Sequence, residues 1–558
     1  MKNLHTSFVF ILLATLFLTT KTAFAQRLSS GPQVLTFFSN IDDSEQPYGL
    51  YLPKNYNEKK KYPLVVMLHG AGSNHRLALR RVFGKSNATG ETDVEASQYF
   101  PEWKDIDFIV VSPYARGTAG YQGVAEHDVW HILKDVKRRF NIDEDRTYLT
   151  GLSMGGGGSL WIGLTRPDIW AAIAPVCPAP PNGTAELMPN VLNVPMHFFH
   201  GDADPVVPVA QTRDWVQKLK DLGTKVEYTE VPKVGHDSWV KAYENETIFT
   251  WFSQFKRNSM PDRVRFVSRT YKYNDAYWVS FDDINDGELA TIDAQFAAIN
   301  NLKITTASLN GFTLNLKKHP KFKANHALTL TIDGKMLTVT PTSATISLMK
   351  TGGNWTIGKA ADPSVISKKK LQGPISAAFS SRQVYVYGTA GNPSKEEQQA
   401  RVDAALQAAN WSVYRGEFLG RIKFYPRVLS DKEIRPSDLA DANLILFGTK
   451  ETNSIIAQYS NQLPLELNDT KNYGLFYVFP INNHLVAVNS GLPWWTGVED
   501  KGYPFLPAAQ RSLFDFKDFV LFKNAVKNVV NEGSFDNNWQ FSDTQSAMMK
   551  ASGVVKLR

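Results

Sequence analysis

The stretch that decides the fold is TYLTGLSMGGGGSLW, residues 147–161 of a chain of 558 residues. An apolar and β-branched run leads into five glycines that surround Ser153, and a second apolar run follows. Glycine weakens helices and strands, so five glycines around one serine need a structural reason. The pattern predicts a strand that turns sharply into a helix beginning near Met154. Side chains at positions 151 and 155 would collide in such a turn, which explains the glycine at each position.

The sequence around this turn alternates between strand-like and helix-like segments. Strand-like runs begin at residues 34, 48, 63, 107, 146, 171, 195 and 225. From residue 63 onward they are mostly apolar on both faces, which is typical of buried parallel strands. Helical periodicity begins at residues 126, 209 and 244. We therefore expect a mostly parallel α/β sheet that is covered by helices on both faces.

Ser153 sits in the pattern Gly-Leu-Ser-Met-Gly, which fits the turn that holds a nucleophilic serine exposed between a strand and a helix. A serine hydroxyl needs a base to take its proton and a third group to orient that base. HGDADPVVP, residues 200–208, follows the seventh predicted strand, and VGHDSW, residues 234–239, follows the eighth. We assign His236 as the general base and Asp204 as its orienting carboxylate, whereas Asp202 is expected to cap the local turn.

A site for the developing negative charge should follow the third predicted strand, in MLHGAGSN, residues 67–74. Gly70 would let the chain turn sharply, so that the amide of Ala71 points into the site. The amide of Met154 supplies a second donor for an oxyanion. His69 is interpreted as a structural residue that bonds the backbone of this loop.

Residues 45–258 resemble the secreted serine esterases of the α/β-hydrolase fold, of the carbohydrate-esterase and feruloyl-esterase type. That type overlaps in sequence with phospholipase/carboxylesterases and with the prolyl-oligopeptidase catalytic domain. The resemblance implies Asp204 as the triad carboxylate, Ala71 and Met154 as oxyanion donors, and no metal or organic cofactor. It is carried by YGLYLPKNYNEKKKYPLVVMLHGAG, GVAEHDVWHILKDVKRRFNIDEDRTYLTGLSMGGGG, RPDIWAAIAPVC, HGDADPVVP and GHDSWVKAYENETIFTWF.

The N-terminus has the pattern of an export signal. Lys2 precedes an apolar stretch, residues 7–20, and residues 23–25, Ala-Phe-Ala, fit a cleavage site, so the mature chain would begin near Gln26. An uncleaved anchor is the alternative, although the stretch is shorter than the ~20 residues that a membrane span needs. We expect no membrane insertion after cleavage.

One cysteine, Cys177, leaves an exported chain without an internal disulfide, which suggests a bacterial periplasm or exterior. It lies in an apolar strand and is expected to be an inert buried thiol. The formal charge of +7 is not gathered into a basic stripe, which argues against nucleic acid as a partner.

The pattern changes after residue 260. Period-two alternation with short turns, including Asp333-Gly334, predicts a β-rich, sandwich-like module over residues 262–372. Strand and helix alternate again over residues 373–558, which predicts a smaller α/β domain. The expected divisions are a signal peptide at 1–25, an α/β-hydrolase catalytic domain at 26–260 and these two C-terminal units.

The β-rich module could bind polysaccharide or act as a spacer. Trp494 and Trp495 could stack on carbohydrate or pack between elements.

We expect a secreted or periplasmic serine esterase whose substrate is an ester-bearing polysaccharide, with acetyl or feruloyl groups, or a small acyl ester. Trp239, three residues after His236, is the best candidate for contact with the substrate. Trp161, Trp170 and Trp251 lie in apolar contexts that are typical of core residues. Two alternatives stay open: a serine peptidase of the prolyl-oligopeptidase type, and a non-catalytic carbohydrate-binding protein with a vestigial triad. The sequence leaves the oligomeric state undetermined.

Overall fold

A computed structural model describes residues 28–285, 287–358, 367–412, 420–499 and 506–558. The predicted export signal, residues 1–25, lies outside the described residues. No helix among these residues has the length and apolar character that a membrane crossing needs.

An eight-stranded sheet forms the first part of the chain. Its strands are β1 Gly31–Ser39, β2 Ser44–Leu52, β3 Tyr62–Leu68, β4 Ile109–Pro113, β5 Ile142–Leu152, β6 Ala172–Val176, β7 Met196–Gly201 and β8 Val226–Val231. Their order is β1-β2-β4-β3-β5-β6-β7-β8. The pairs β1–β2 and β2–β4 are antiparallel and the others parallel. Each strand overlaps one of the predicted runs, and the mostly parallel α/β-hydrolase sheet is confirmed.

Helices cover both faces of this sheet. They are α1 His75–Val82, α2 Asp93–Ala96, α3 Val124–Arg139, α4 Met154–Thr165, α5 Val209–Asp221, α6 Trp239–Ala242 and α7 Thr247–Phe252, with 3-10 turns at Pro167–Ile169, Ala185–Val191 and Glu244–Glu246. Alternate residues of β3 enter different cores: Leu64 and Val66 pack with α3, α4 and α5, whereas Val65 and Met67 pack with α1 and α7. A sheet buried on both faces explains why its strands are apolar throughout.

One helical expectation needs adjustment, and one further segment is helical. The helix predicted from residue 244 is a 3-10 turn followed by the short α7, because Asn245 and Glu246 both adopt left-handed backbone angles that interrupt a helix. Residues 73–104 contain the two helices α1 and α2. The Asn74 side chain caps α1 by accepting hydrogen bonds from the amides of Arg76 and Leu77.

The β-rich region is a two-sheet sandwich. Its strands are β9 Arg263–Ser268, β10 Asp275–Ala276, β11 Val279–Ile284, β12 Ala290–Ala298, β13 Asn301–Ala307, β14 Leu309–Asn315, β15 Leu328–Ile332, β16 Lys335–Val339, β17 Thr345–Thr351 and β18 Asn354–Ile357, with a 3-10 turn at Tyr271–Tyr273. The sheets have the orders β10-β11-β14-β17-β18 and β16-β15-β13-β12-β9, and they enclose one apolar cluster. Asp333 and Gly334 both have positive φ in the predicted hairpin between β15 and β16.

The last region returns to an α/β arrangement. Its strands are β19 Gln383–Tyr387, β20 Arg427–Ser430, β21 Asn443–Phe447, β22 Leu465–Leu467, β23 Tyr473–Ile481, β24 His484–Gly491, β25 Phe519–Lys523, β26 Val529–Gly533 and β27 Val555–Leu557. Its helices are α8 Lys395–Ala409, α9 Pro436–Asp441, α10 Ser454–Tyr459, α11 Ala508–Ser512 and α12 Asp543–Ala551, with a 3-10 turn at Ile375–Phe379. Seven of the strands form a mixed sheet in the order β20-β19-β21-β24-β23-β25-β26. Trp494 is fully buried and stacks on Phe476 with ring centroids 4.4 Å apart, so the stacking-platform alternative is wrong for this residue.

The α/β region at the C-terminus packs directly on the hydrolase region. Ile41 and Val124 of the hydrolase part belong to the apolar core of the C-terminal sheet. Beside them, the buried Arg116 guanidinium bonds Asp128 at 2.6 Å and Asp42 at 2.7 Å. A buried cation with two carboxylates is tolerated because each charge has partners, and this cluster fixes the surface that the C-terminal region covers.

Candidate active site

Ser153 lies at the turn between β5 and α4, at the carboxyl edge of the sheet. Its backbone angles are φ 55° and ψ −117°, a conformation that L-residues rarely adopt. The turn is held because the Ser153 amide donates to the Val176 carbonyl at 2.9 Å and the Gly157 amide donates to the Ser153 carbonyl at 2.9 Å. Strain of this kind persists only where the surrounding structure enforces it. In this strained turn Ser153 is half-buried.

The glycines on either side of Ser153 are required by contact distances. A Cβ atom at Gly151 would lie 2.2 Å from the Gly155 carbonyl oxygen, and one at Gly155 would lie 2.2 Å from the Leu68 carbonyl oxygen. Both distances are far below van der Waals contact, and each blocking atom belongs to the backbone. Any side chain at these two positions would therefore collide with the backbone, as the sequence predicts.

The next glycines let α4 approach its neighbours. A Cβ atom at Gly157 would lie 1.9 Å from the Ala179 carbonyl oxygen, and one at Gly158 would lie 2.3 Å from the Tyr121 ring. The Tyr121 hydroxyl in turn donates to the His69 carbonyl at 2.9 Å. The first turn of α4 is thus clamped between the segments that follow β4 and β6, which fixes the position of the serine.

Three side chains from the ends of β5, β7 and β8 form a hydrogen-bonded line. His236 Nε2 lies 2.9 Å from Ser153 Oγ, and His236 Nδ1 lies 2.8 Å from Asp204 Oδ2. The Asp204 side chain is fully buried, whereas the His236 side chain is 21 % exposed. The imidazole can therefore shuttle a proton between the serine and an incoming group while the carboxylate is shielded from water.

His200 is a partner of Asp204 that sequence reasoning missed. Its Nε2 lies 3.1 Å from Asp204 Oδ2 and 3.0 Å from the Val207 carbonyl, and its Nδ1 lies 2.8 Å from Thr212 Oγ1. Burial lowers the pKa of His200, so the neutral ring carries its proton on Nε2, which faces two acceptors. Its only sequence signal is its place four residues before Asp204, at the end of an apolar strand.

The charge on Asp204 is stabilised from several directions. Burial by itself would raise the pKa of this carboxyl, but hydrogen bonds from His236 and from the amides of Val207 and Val206 outweigh burial and hold the pKa below its usual value. The amide bonds to Oδ1 are 3.0 and 2.8 Å long. Asp202, by contrast, accepts from the Lys233 amide at 2.6 Å, so its side chain bonds the loop after β8 rather than its own turn.

The loop after β3 carries Ala71. His69 is fully buried and its ring nitrogens lie 2.8 Å from the carbonyls of Gly70 and Tyr114, in agreement with a structural role. The residue with a left-handed backbone is Gly72, with φ 73°, and not Gly70. A Cβ atom at Gly70 would lie 2.7 Å from Leu152 Cδ1, the end of a flexible side chain, and 3.4 Å from the Leu152 carbonyl oxygen.

Two amides of this site have no protein acceptor among the residues that the structure describes. Within the described parts of the chain, neither the Ala71 N–H nor the Met154 N–H donates a hydrogen bond to another protein group. Met154 is the first residue of α4, so its N–H lies at the positive end of a helix. Both residues are half-buried, and both amides remain available to a ligand.

Trp239, the predicted substrate contact, lies beside His236. Its ring is edge-on to the His236 imidazole, with centroids 5.5 Å apart and an interplanar angle of 89°. The residue is half-buried at the start of α6. Trp170 and Trp251 are buried core residues as expected, whereas Trp161 is only partly buried.

Cys177 is adjacent to this line of residues. Among the described residues, Cys177, Asp204 and His236 are the one group whose potential metal-ligand atoms all lie within 4.8 Å of one another. The donor set does not suit a metal, because burial raises the pKa of the Cys177 thiol to about 12 and metals bind the thiolate. The histidine and the aspartate already bond each other. Cys177 is a free, buried thiol, so the predicted burial is confirmed.

The sheet order and the serine turn define an α/β hydrolase. Residues 55–250 match the family described as phospholipase/carboxylesterase. The chain is 27% identical over 222 residues to feruloyl esterase D of Neurospora crassa, across 38% of this chain and 74% of that protein. It is 26% identical over 215 residues to the bifunctional acetylxylan esterase/xylanase XynS20E of Neocallimastix patriciarum, across 36% of this chain and 27% of that protein.

Among solved structures, one described as a thermostable esterase is 30% identical, with a TM-score of 0.33, over 40% of this chain and 63% of that one. The family match and the similarity to curated esterases identify this protein as a serine hydrolase that acts on carboxylic esters.

Proposed function

We propose that the protein is an exported esterase that removes acetyl or feruloyl groups from polysaccharide through Ser153, His236 and Asp204. The observation that carries this proposal is the continuous line of hydrogen bonds, 2.9 Å from Ser153 Oγ to His236 Nε2 and 2.8 Å from His236 Nδ1 to Asp204 Oδ2. A base within hydrogen-bond reach of the nucleophile, itself oriented by a carboxylate, is the arrangement that activates a serine.

The reaction begins when Ser153 Oγ attacks the ester carbonyl carbon and His236 Nε2 takes the hydroxyl proton. Asp204 holds the other imidazole nitrogen and stabilises the imidazolium. The negative charge of the tetrahedral intermediate falls on the former carbonyl oxygen, which the N–H groups of Ala71 and Met154 bind. His236 then gives its proton to the leaving alcohol. Water, deprotonated by His236, cleaves the acyl-enzyme in the same way and releases the acid.

Three observations support a polysaccharide ester as substrate. The curated relatives include a feruloyl esterase and an acetylxylan esterase/xylanase. Trp239 offers an apolar ring beside His236, where an aromatic acyl group could pack. The N-terminal pattern around Lys2 and residues 23–25 favours export, and export would bring the enzyme to polymeric substrates that do not enter a cell.

A substrate panel with wild type and Ser153→Ala tests the proposal. We expect wild type to release acid from acetylated xylan, methyl ferulate and p-nitrophenyl acetate, and to cleave dipeptidyl amides at least 100-fold more slowly. Ser153→Ala should lose turnover by about 10³-fold or more, because a triad without its nucleophile retains little activity. Circular dichroism of both proteins controls for folding.

Two results would contradict the proposal. Equal rates for wild type and Ser153→Ala would place the chemistry elsewhere, and faster cleavage of dipeptidyl amides than of esters would favour a peptidase. Export is tested separately by mass spectrometry of the mature chain, which should begin at Gln26 in the periplasmic or culture fraction. A chain that still begins at Met1 would contradict cleavage.

A further inference from the structure

The loop that carries Ala71 is a turn in which the two amides that follow Ala71 are already bonded. The Ser73 amide donates to the Gly70 carbonyl at 3.2 Å, and the Gly72 amide donates to Thr118 Oγ1 at 3.0 Å. Within the described residues, the Ala71 amide has no protein acceptor. The bonds made by its neighbours therefore decide where the free Ala71 N–H points.

Thr118 is itself held by the C-terminal α/β region. Its amide donates to the carbonyl of Gly420 at 2.6 Å, and its side chain is buried. A Cβ atom at Gly420 would lie 2.3 Å from Thr118 Oγ1 and 2.9 Å from both the Cα and the N of Gly72. The backbone of residue 420 is thus in direct contact with the turn that presents Ala71, more than 300 residues away in the sequence.

Neighbouring residues anchor this contact. The Tyr114 hydroxyl donates to the Arg421 carbonyl at 2.5 Å, and the Lys423 amide donates to the Arg116 carbonyl at 3.2 Å. The Tyr425 amide donates to Asp42 at 3.0 Å. Residues 420–425 therefore lie along the hydrolase surface, bonded to Tyr114 and to two members of the buried Arg116 cluster, and these bonds anchor the segment that begins at Gly420.

We propose that Thr118 and Gly420 are positioning residues that aim the Ala71 N–H at the oxyanion, so that the C-terminal α/β region completes the catalytic site. This inference rests on the proposed function, in which Ala71 is an oxyanion donor. Such donors are effective because they are fixed before the charge develops, and a small displacement of a catalytic group is costly. The segment 420–425 supplies that fixation from outside the hydrolase sheet.

Thr118→Val and Thr118→Ser form the first matched pair. Valine keeps the shape of threonine but cannot accept the Gly72 N–H, whereas serine keeps the oxygen. With p-nitrophenyl acetate we expect Thr118→Val to lower kcat at least tenfold with KM within about twofold, since complete loss of one oxyanion donor costs about 10²–10³ in rate. Thr118→Ser should recover most of kcat. Serine sites titrated to completion with a fluorophosphonate give the concentration of folded enzyme.

Gly420→Ala tests the same contact from the other side, because its methyl group would displace Thr118 Oγ1 or Gly72. It should also lower kcat tenfold or more, without changing the pH at which kcat/KM is half-maximal. Gly358→Ala is the control: it adds the same methyl group, 3.3 Å from the flexible Met349 side chain, and should match wild type.

The outcomes separate this inference from the proposed function. If Ser153→Ala keeps its turnover, the proposed function fails. If Ser153→Ala is inactive while Thr118→Val and Gly420→Ala both match wild type in kcat per titrated site, only the positioning role fails. A tenfold loss in Thr118→Ser equal to that in Thr118→Val would also overturn it, because the effect would then not depend on the hydroxyl oxygen.

Discussion

His200 Nε2 lies 3.1 Å from Asp204 Oδ2, so the carboxylate that contacts His236 is held by a second, buried histidine. The two histidines differ in exposure: the His200 side chain is fully buried, whereas that of His236 reaches solvent. Only the exposed ring faces the serine. The buried ring has its other nitrogen bonded to Thr212, and we expect it to hold the carboxylate in place.

Replacing His200 should disturb catalysis through Asp204. Hydrogen bonds to charged groups contribute about 1.5–3 kcal/mol, and part of this would be lost from the orientation of the carboxylate. We expect His200→Ala to lower kcat roughly tenfold, because the carboxylate that orients His236 loses one of its donors. His200→Gln, which keeps an N–H at the same distance along the side chain, should have a kcat close to that of wild type. An unchanged kcat in His200→Ala would show that the bond is dispensable.

The lowered pKa of Asp204 predicts acid sensitivity. An aspartate whose pKa is lower in the folded than in the unfolded state, where it is about 3.9, stabilises the fold above that pH. The stabilisation is lost as the pH falls through the lower, folded-state value. Asp204→Asn should therefore flatten the decline of the thermal midpoint between about pH 5 and pH 2, measured against wild type by circular dichroism. An equally steep decline in both proteins would assign the acid sensitivity to other carboxylates.

Trp239 should distinguish aromatic from small acyl groups. An aromatic pair contributes about 0.5–1.5 kcal/mol beyond burial of its surface, which corresponds to a factor of about 2–13. We expect Trp239→Ala to raise KM for methyl ferulate roughly fivefold, and to change KM for p-nitrophenyl acetate less than twofold. Trp239→Phe should have a KM for methyl ferulate between those of wild type and Trp239→Ala. If both substrates respond equally, the ring supports His236 rather than the acyl group.

Two glycines of α4 should respond differently to the same substitution. Gly157→Ala puts a methyl group against the Ala179 backbone, whereas Gly163→Ala meets the flexible Cδ1 of Ile173 at 2.4 Å. Overpacking costs about 1–3 kcal/mol, and alanine regains up to about 1 kcal/mol of helix propensity. We therefore expect a lower midpoint of thermal inactivation for Gly157→Ala and little change for Gly163→Ala. Equal midpoints would contradict the close packing of the first turn of α4.

Local patterns in the sequence were sufficient to predict the hydrolase sheet and the turn at Ser153. Each strand of that sheet overlaps a continuous apolar run, and the glycines at 151 and 155 are dictated by contacts within the turn itself. The Asp333-Gly334 hairpin is equally local. The functional assignments of Ser153, Asp204 and His236 stay predictions until they are tested, although the structure brings these side chains within hydrogen-bond distance.

What the sequence could not reveal depends on contacts between distant residues. In the sequence, His200 is simply the end of an apolar strand. Its role was missed because its two acceptors and its bond to Thr212 form only when the chain has folded. The helix expected from residue 244 to 257 is shorter because two consecutive residues take left-handed angles, and neither of them is a glycine. The contact between Gly420 and Gly72 joins two distant regions, and no sequence pattern in either region indicates that they meet.

The single, buried thiol makes this chain a clean background for site-specific labelling. Because Cys177 is fully buried and burial raises its pKa to about 12, we expect maleimide dyes at neutral pH to leave the native protein unmodified. A cysteine introduced at an exposed position such as Met336, which is 74% accessible, becomes the one reactive handle. Pairs of such handles would allow fluorescence energy transfer to follow the distance between the sandwich and the hydrolase during turnover, with no native cysteine to remove first.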